Sequence, residues 1–160
     1  MFIPIMMSLC SIMPNALPMS DRQARNVCKY ERTIFKEAEK NDVNPYLLAS
    51  LIYVESAFLP HVVSKANACG LTQVIPKYTG GPETGYKKYT CKQLKNPYTS
   101  IKVGAEILAY SIFHYAKGNE DKGLCMYAAG TVCLRKKNLY KRLKYVKKVR
   151  RIYDEITDGC

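Results

Sequence analysis

Tryptophan is absent from this 160-residue chain and histidine occurs only twice. Acidic residues are scarce, with 13 Asp and Glu against 25 Lys and Arg. No CxxC pair occurs, and two histidines are too few to complete a familiar zinc ligand set, so a zinc site is not expected. No apolar run is long enough to span a bilayer. The longest, FIPIMMSLCSIM at residues 2–13, has the length of a signal-peptide hydrophobic region. It lacks a preceding Lys or Arg, is interrupted by Pro4, and is followed by no clear small-x-small cleavage site. Residues 1–20 are therefore either a signal peptide or an apolar docking arm. There is no internal repeat and no low-complexity linker, so residues 21–160 are expected to form one domain.

What is plentiful is positive charge, tyrosine and cysteine. A formal net charge of +12 favours polyanionic surroundings: nucleic acid, an anionic membrane or an acidic wall polymer. The basic residues are densest over 135–151, where a solvated face and a surface for capturing anionic polymer are both possible readings. The 13 tyrosines make up most of the aromatic content. Of the seven cysteines, six remain if a segment containing Cys10 is removed, an even number that suits an oxidising compartment. Sequence does not choose among their pairings. A bridge from Cys91 to Cys125 or Cys133 is favoured, because it would tie down a long loop with few apolar anchors.

The periodicity is mainly helical. Val27, Tyr30, Ile34 and Ala38 line one face of a helix over 21–40. Asn44 can cap, and Pro45 suits the first turn of, a second helix over about 45–57. Residues 58–100, rich in Pro, Gly, Ser, Thr and Asn, read as loops with short strands or turns. Further helices are expected over 99–117 (Ile101, Ala105, Leu108, Ile112 inward), near 121–129, and over about 137–156 (Leu139, Leu143, Val146, Ile152 inward). The fold class is thus mainly α, crossed by one long irregular segment.

Glu55 falls on the same face as Leu48, Leu51 and Ile52, in the last turn of the second helix. Burial and the negative end of the helix dipole both disfavour its ionised form and raise its pKa. A carboxyl held protonated near neutrality is what a general acid needs to protonate a glycosidic oxygen. The next acidic residue is Glu83, beyond the whole adjoining loop, so no second carboxylate is evident beside Glu55. That argues against the two-carboxylate arrangement of ordinary glycosidases.

Several stretches in order resemble the lytic transglycosylases of the soluble-lytic-transglycosylase (SLT) family, relatives of goose-type lysozyme. VNPYLLASLIYVESAF resembles the family helix ending in Glu-Ser-x-Phe, and LPHVVSKANACGLTQVIP its Pro-x-x-x-Ser and Gly-Leu-x-Gln-x-x-Pro elements. NPYTSIKVGAEIL, MYAAG and YVKKVRRIY follow in the family's order. The resemblance covers about residues 38–153. It implies a lysozyme-like fold with Glu55 as catalytic acid/base, and Ser64, Gln73, Tyr127 and Tyr145 in contact with substrate or with the catalytic carboxyl. It implies cleavage of the MurNAc-β-1,4-GlcNAc bond of peptidoglycan to a 1,6-anhydro product, without a metal or cofactor. Glycan strands would be the partner, and the periplasm or cell wall the setting, within wall turnover, a phage particle or an envelope-spanning secretion apparatus. The family's Tyr-Asn-Ala-Gly motif is altered: Ala128 stands where its Asn would be.

Three other readings compete. A thiol peptidase would use Cys69 as nucleophile with His61 or His114 as base, although no feature that would lower the thiol pKa is evident. A wall-binding or assembly protein could use the same fold with activity weakened at Ala128. Nucleic-acid binding through the basic C-terminal helix lacks any accompanying recognition motif and is not expected.

Overall fold

The computed structural model describes residues 7–158. Nine α-helices are present in that range: α1 Leu9–Ala16, α2 Asp21–Lys40, α3 Pro45–Ser56, α4 Cys91–Leu94, α5 Pro97–Tyr110, α6 Glu120–Ala129, α7 Val132–Arg135, α8 Leu139–Arg142 and α9 Lys144–Thr157. Among the described residues there is no strand longer than an isolated bridge. Two such bridges, Val63 to Cys69 and Cys69 to Val74, fold the loop after α3 back on itself.

Local chemistry sets the helix starts. Ser20 and Gln23 form a reciprocal capping box at α2, the Ser20 hydroxyl accepting from the Gln23 N–H and the Gln23 side chain from the Ser20 N–H. Asn44 caps α3 by accepting from the N–H groups of Tyr46 and Leu47, and Asn96 caps α5 in the same way through Tyr98 and Thr99. α3 is the central element. Leu47, Leu48, Ala49, Ser50, Leu51 and Ile52 are all buried, so it is enclosed on every side rather than on one stripe. It packs against α2 and α9, whose inward residues include Val27, Tyr30, Ile34 and Ala38 on one side and Val146, Val149, Ile152 and Ile156 on the other.

Several expectations are corrected. The helix expected over 99–117 begins at Pro97, leaves α geometry after Tyr110 and ends in a π-helical turn, Ser111–Tyr115. The helix expected over 137–156 is broken at Leu143, whose extended backbone (φ −64°, ψ 121°) separates α8 from α9; Leu139 and Leu143 are only half-buried. Arg150 is not part of a free basic face. Its guanidinium pairs with Glu120 at 2.8 Å and with Asp121, and so ties α9 to the first turn of α6.

The cysteine pairing also differs from the favoured bridge. Cys69 joins Cys91, Cys125 joins Cys133, and Cys10 joins Cys28. Cys160 lies outside the described residues. A small second core explains the first of these bonds. Cys69, Val74, Tyr89, Leu94 and Val103 pack together beneath the loop, apart from the main core, and the bond crosses that cluster.

The expected apolar N-terminal segment lies partly outside the described residues, but Leu9, Met13 and Leu17 are buried in the main core. Glu31 accepts hydrogen bonds from the Ser8 hydroxyl (2.8 Å) and the Cys10 N–H (2.7 Å). Tyr46 donates to the Met7 carbonyl and Tyr53 to the Pro18 carbonyl. No helix among the described residues is long and apolar enough to cross a membrane.

Candidate active site

α3 delivers Glu55 to the floor of a cleft of about 880 Å³. The chain turns away from it at once: Ala57 (φ 49°) and Phe58 (φ 62°) are both left-handed, a strained pair for residues with a Cβ. Surrounding bonds hold that turn. Phe58 is fully buried, and its carbonyl accepts from the Asn26 side chain at 2.8 Å. The buried Ser56 hydroxyl donates to Leu71 O at 2.8 Å, pinning the Gly70–Gln73 loop against the end of α3.

That loop is packed too tightly for substitution at Gly70. Its φ is +80°, and a methyl group there would overlap the Leu94 carbonyl. Thr72, also fully buried, donates its hydroxyl to Ser100 O (2.8 Å) and its N–H to the Ser100 hydroxyl oxygen (3.1 Å). Gly104 of α5 lies directly against the Thr72 side chain, where any Cβ would clash.

The four residues expected near Glu55 all line the same cleft. Tyr145, from the first turn of α9, donates its hydroxyl to Glu55 Oε1 at 2.6 Å. Tyr127, from α6, donates to Thr72 O at 2.7 Å, which makes it a strut between α6 and the loop. The Ser64 hydroxyl accepts from the N–H groups of Ala66 (3.2 Å) and Ala68 (3.1 Å), so it organises a turn; its own proton is not committed in any of these bonds. The Gln73 amide nitrogen donates to the carbonyls of Val62 (3.0 Å) and Gly70 (2.9 Å), which fixes the side chain and leaves Oε1 as the atom for a ligand. Ala128 is exposed on the cleft wall and offers no side-chain donor or acceptor.

Burial pushes the Glu55 carboxyl up to about 7, against the opposing pull of the Tyr145 hydrogen bond and the Lys148 charge. Burial, reinforced by the nearby Glu55, also raises the phenols of Tyr127 and Tyr145, so both remain neutral donors. With Tyr145 on Oε1, the proton of the acid form belongs on Oε2. The geometry therefore both orients the acid and leaves one oxygen to act.

Sequence reasoning missed some lining residues. Glu83 is in the cleft, brought there by a 3₁₀ turn at Pro82–Thr84, so the cleft contains two carboxyl groups. They are not equivalent. Burial, Tyr145 and Lys148 act on Glu55, whereas Glu83 acts on Tyr110, after burial and Tyr115 and alongside Tyr86. Tyr78, Tyr110 and Tyr115 also line the cleft, and no spacing rule marked them. Cys69 is no nucleophile here: its sulfur is bonded to that of Cys91, which removes the basis for the thiol-peptidase reading.

The helical architecture and a cleft built around the partly buried Glu55 define a lysozyme-like fold. A solved structure, that of an inactive mutant of the lytic transglycosylase Slt from Pseudomonas aeruginosa, matches it with a TM-score of 0.65 at 19% identity, covering 87% of this chain and 26% of that one. Residues 32–149 match the Transglycosylase SLT domain, and the chain belongs to that family. It is 33% identical over 111 residues to a "Membrane-bound lytic murein transglycosylase C" of Actinobacillus pleuropneumoniae serotype 5b, covering 62% of this chain and 28% of the relative. It is 36% identical over 91 residues to an "Endo-type membrane-bound lytic murein transglycosylase A" of Enterobacter sp., covering 54% and 44% respectively. The chain thus spans less than half the length of these relatives.

Proposed function

We propose that the chain is a peptidoglycan lytic transglycosylase that cleaves the MurNAc-β-1,4-GlcNAc bond with Glu55 as its one catalytic acid/base. The observation that carries this reading is the partly buried Glu55 carboxyl, raised to about 7 and oriented by Tyr145 at 2.6 Å. Near neutrality a large fraction of it is protonated. It donates that proton to the bridging oxygen as the bond to C1 of MurNAc breaks. The carboxylate left behind takes the proton of the C6 hydroxyl, whose oxygen closes on C1 to give a 1,6-anhydro ring. The substrate N-acetyl group supports the cationic centre, no water is consumed, and the acid is regenerated. Gln73 Oε1 and the Ser64 hydroxyl are placed to meet sugar amides and hydroxyls.

Glu83 in the same cleft favours a second reading, two-carboxylate hydrolysis. Mass spectrometry of purified peptidoglycan digested with the protein separates the outcomes. Anhydro-muropeptides are expected. Reducing ends would assign the chemistry to hydrolysis, and intact glycan would make the protein a wall binder whose activity is weakened at Ala128.

Murein transglycosylase relatives support a cell-envelope setting, in the periplasm or at the wall; a phage particle or secretion apparatus is the finer proposal. The burial of Leu9, Met13 and Leu17 supports reading the segment from Ser8 as an arm retained on the folded domain rather than a discarded leader.

A further inference from the structure

Every charged residue between Val132 and Tyr153 is Lys or Arg. Among the described residues, only Arg150 and Arg151 of this tract have a carboxylate within ion-pair distance. The other cations are exposed. On α9, Lys144, Lys147, Lys148 and Arg151 recur at i, i+3, i+4 and i+7, so they form one stripe opposite the buried Val146, Val149 and Ile152. α9 also sets these charges against its own dipole. Acids favour a helix N-terminus and cations its C-terminus. α2 follows that rule with Asp21 and Lys40, and α6 opens with Glu120 and Asp121. α9 has no acid in its first turn and no cation in its last; Lys144 and Lys147 stand at the start, Asp154 and Glu155 at the end. The arrangement works against the helix, so helix stability does not account for it.

The pieces of the tract adjoin in space. α7 packs on α6 and is bonded to it through Cys125–Cys133, and α8 packs on both α6 and α9. Lys122 of α6 and Lys141 of α8 lie over the same Tyr140 ring, at 5.3 and 5.8 Å from its centroid. Like charges gathered in this way repel, and an external anionic surface relieves the repulsion. Gly130, Thr131 and Tyr145 line the cleft, whereas Val132 to Lys144 do not, so the tract adjoins the cleft without filling it. Leu134 identifies the anionic partner. It is 51% exposed, the only exposed leucine or isoleucine among the described residues, and it stands beside Arg135, Lys136 and Lys137. A soluble polyanion offers such a side chain nothing apolar, whereas a bilayer offers charge at the headgroups and acyl chains just beneath. We infer that the α7–α9 tract, with Leu134 as its apolar anchor, docks the protein on the surface of an anionic phospholipid bilayer. The docking is peripheral and does not depend on the chemistry proposed for Glu55.

The test is co-sedimentation of the 160-residue protein with vesicles of phosphatidylcholine alone or of equal parts phosphatidylcholine and phosphatidylglycerol. The parent should bind the anionic vesicles, leave them as salt is raised from about 0.05 to 0.5 M, and ignore the neutral ones. Lys136→Gln, Lys137→Gln and Arg142→Gln together should weaken binding by about 10- to 100-fold, since each cation near such a surface is worth about fivefold. The charge-preserving set Lys136→Arg, Lys137→Arg and Arg142→Lys should retain the affinity. Removing as many cations from α2, where acids are interspersed, by Arg25→Gln, Arg32→Gln and Lys36→Gln, should change it by less than about threefold. Leu134→Ser should weaken it by about 3- to 10-fold at unchanged charge. No binding of the parent to anionic vesicles would overturn the inference, as would equal losses in the two Gln sets, which would reduce the effect to net charge. Binding that Leu134→Ser leaves unchanged would assign the tract to a soluble polyanion and overturn the bilayer.

Discussion

The two sides of the cleft are held by different physics. The side carrying Glu55 and Tyr145 stands on α3 and α9, which pack together in the main apolar core. The side carrying Ser64 and Gln73 is a loop over a second core of only five residues. It is positioned by the Ser56–Leu71, Thr72–Ser100 and Tyr127–Thr72 hydrogen bonds, by Gly70 at φ +80°, and by the Cys69–Cys91 bond. Under the proposed function, the acting proton is thus placed by burial, and the polar groups proposed to face substrate by directional bonds. Substitutions should separate these two functions.

The largest effect is expected at the helical side. Glu55→Gln removes the proton donor and should lower turnover by on the order of 10²- to 10⁴-fold. It should also stabilise the protein at alkaline pH. The folded carboxyl near 7 binds its proton more tightly than the unfolded one near 4.5. Stability contributed by Glu55 therefore falls as pH rises from 4.5 to 7 and is level above that, by about 3 kcal/mol in all. Thermal unfolding at pH 8 should occur roughly 5 °C or more higher in the Gln variant, with little difference at pH 4. An equal melting temperature at pH 8 would mean that Glu55 is ionised there without penalty.

Next comes Gly70→Ala on the loop side. Left-handed backbone and overlap with Leu94 together should destabilise by about 3 kcal/mol or more, read from urea unfolding. Smaller effects belong to the disulfides, and they should be graded. In the loop-entropy account, replacing both cysteines of the Cys69–Cys91 pair, 22 residues apart, by Ser removes about 3 kcal/mol. The Cys125–Cys133 pair, 8 apart, contributes about 2.5 kcal/mol. Loss of the first should also loosen Gln73 and raise KM, whereas loss of the second should act on the segment around Tyr127. Identical KM values for the two double variants would erase the proposed division between the walls.

Much of the helical side was legible in sequence, because apolar packing leaves a periodic trace. Val27, Tyr30, Ile34 and Ala38 marked α2, Asn44-Pro45 marked the start of α3, and Ile101, Ala105, Leu108 and Ile112 marked the buried side of α5 and the turn after it. The position of Glu55 at the end of α3 followed from the same pattern. α1 went unread although Leu9, Met13 and Leu17 are spaced by four, since a short uncharged run with prolines looks equally like a leader. The loop side left little trace. Disulfide pairing depends on which loops meet in space, and the approach of Glu83, Tyr78 and Tyr115 to the cleft depends on two 3₁₀ turns and a π turn that no periodicity encodes.

The central claim is that burial keeps Glu55 protonated near neutral pH against the pull of Tyr145 and Lys148. Its most direct test is an NMR titration of the ¹³C-labelled Glu55 side-chain carboxyl, assigned by its loss in Glu55→Gln. A midpoint near 7 is predicted, moving higher in Tyr145→Phe because the hydrogen bond that favours the carboxylate is gone, with the activity profile falling as pH rises through the same value. A midpoint near 4.5 in the wild-type protein, unmoved by Tyr145→Phe, would contradict it.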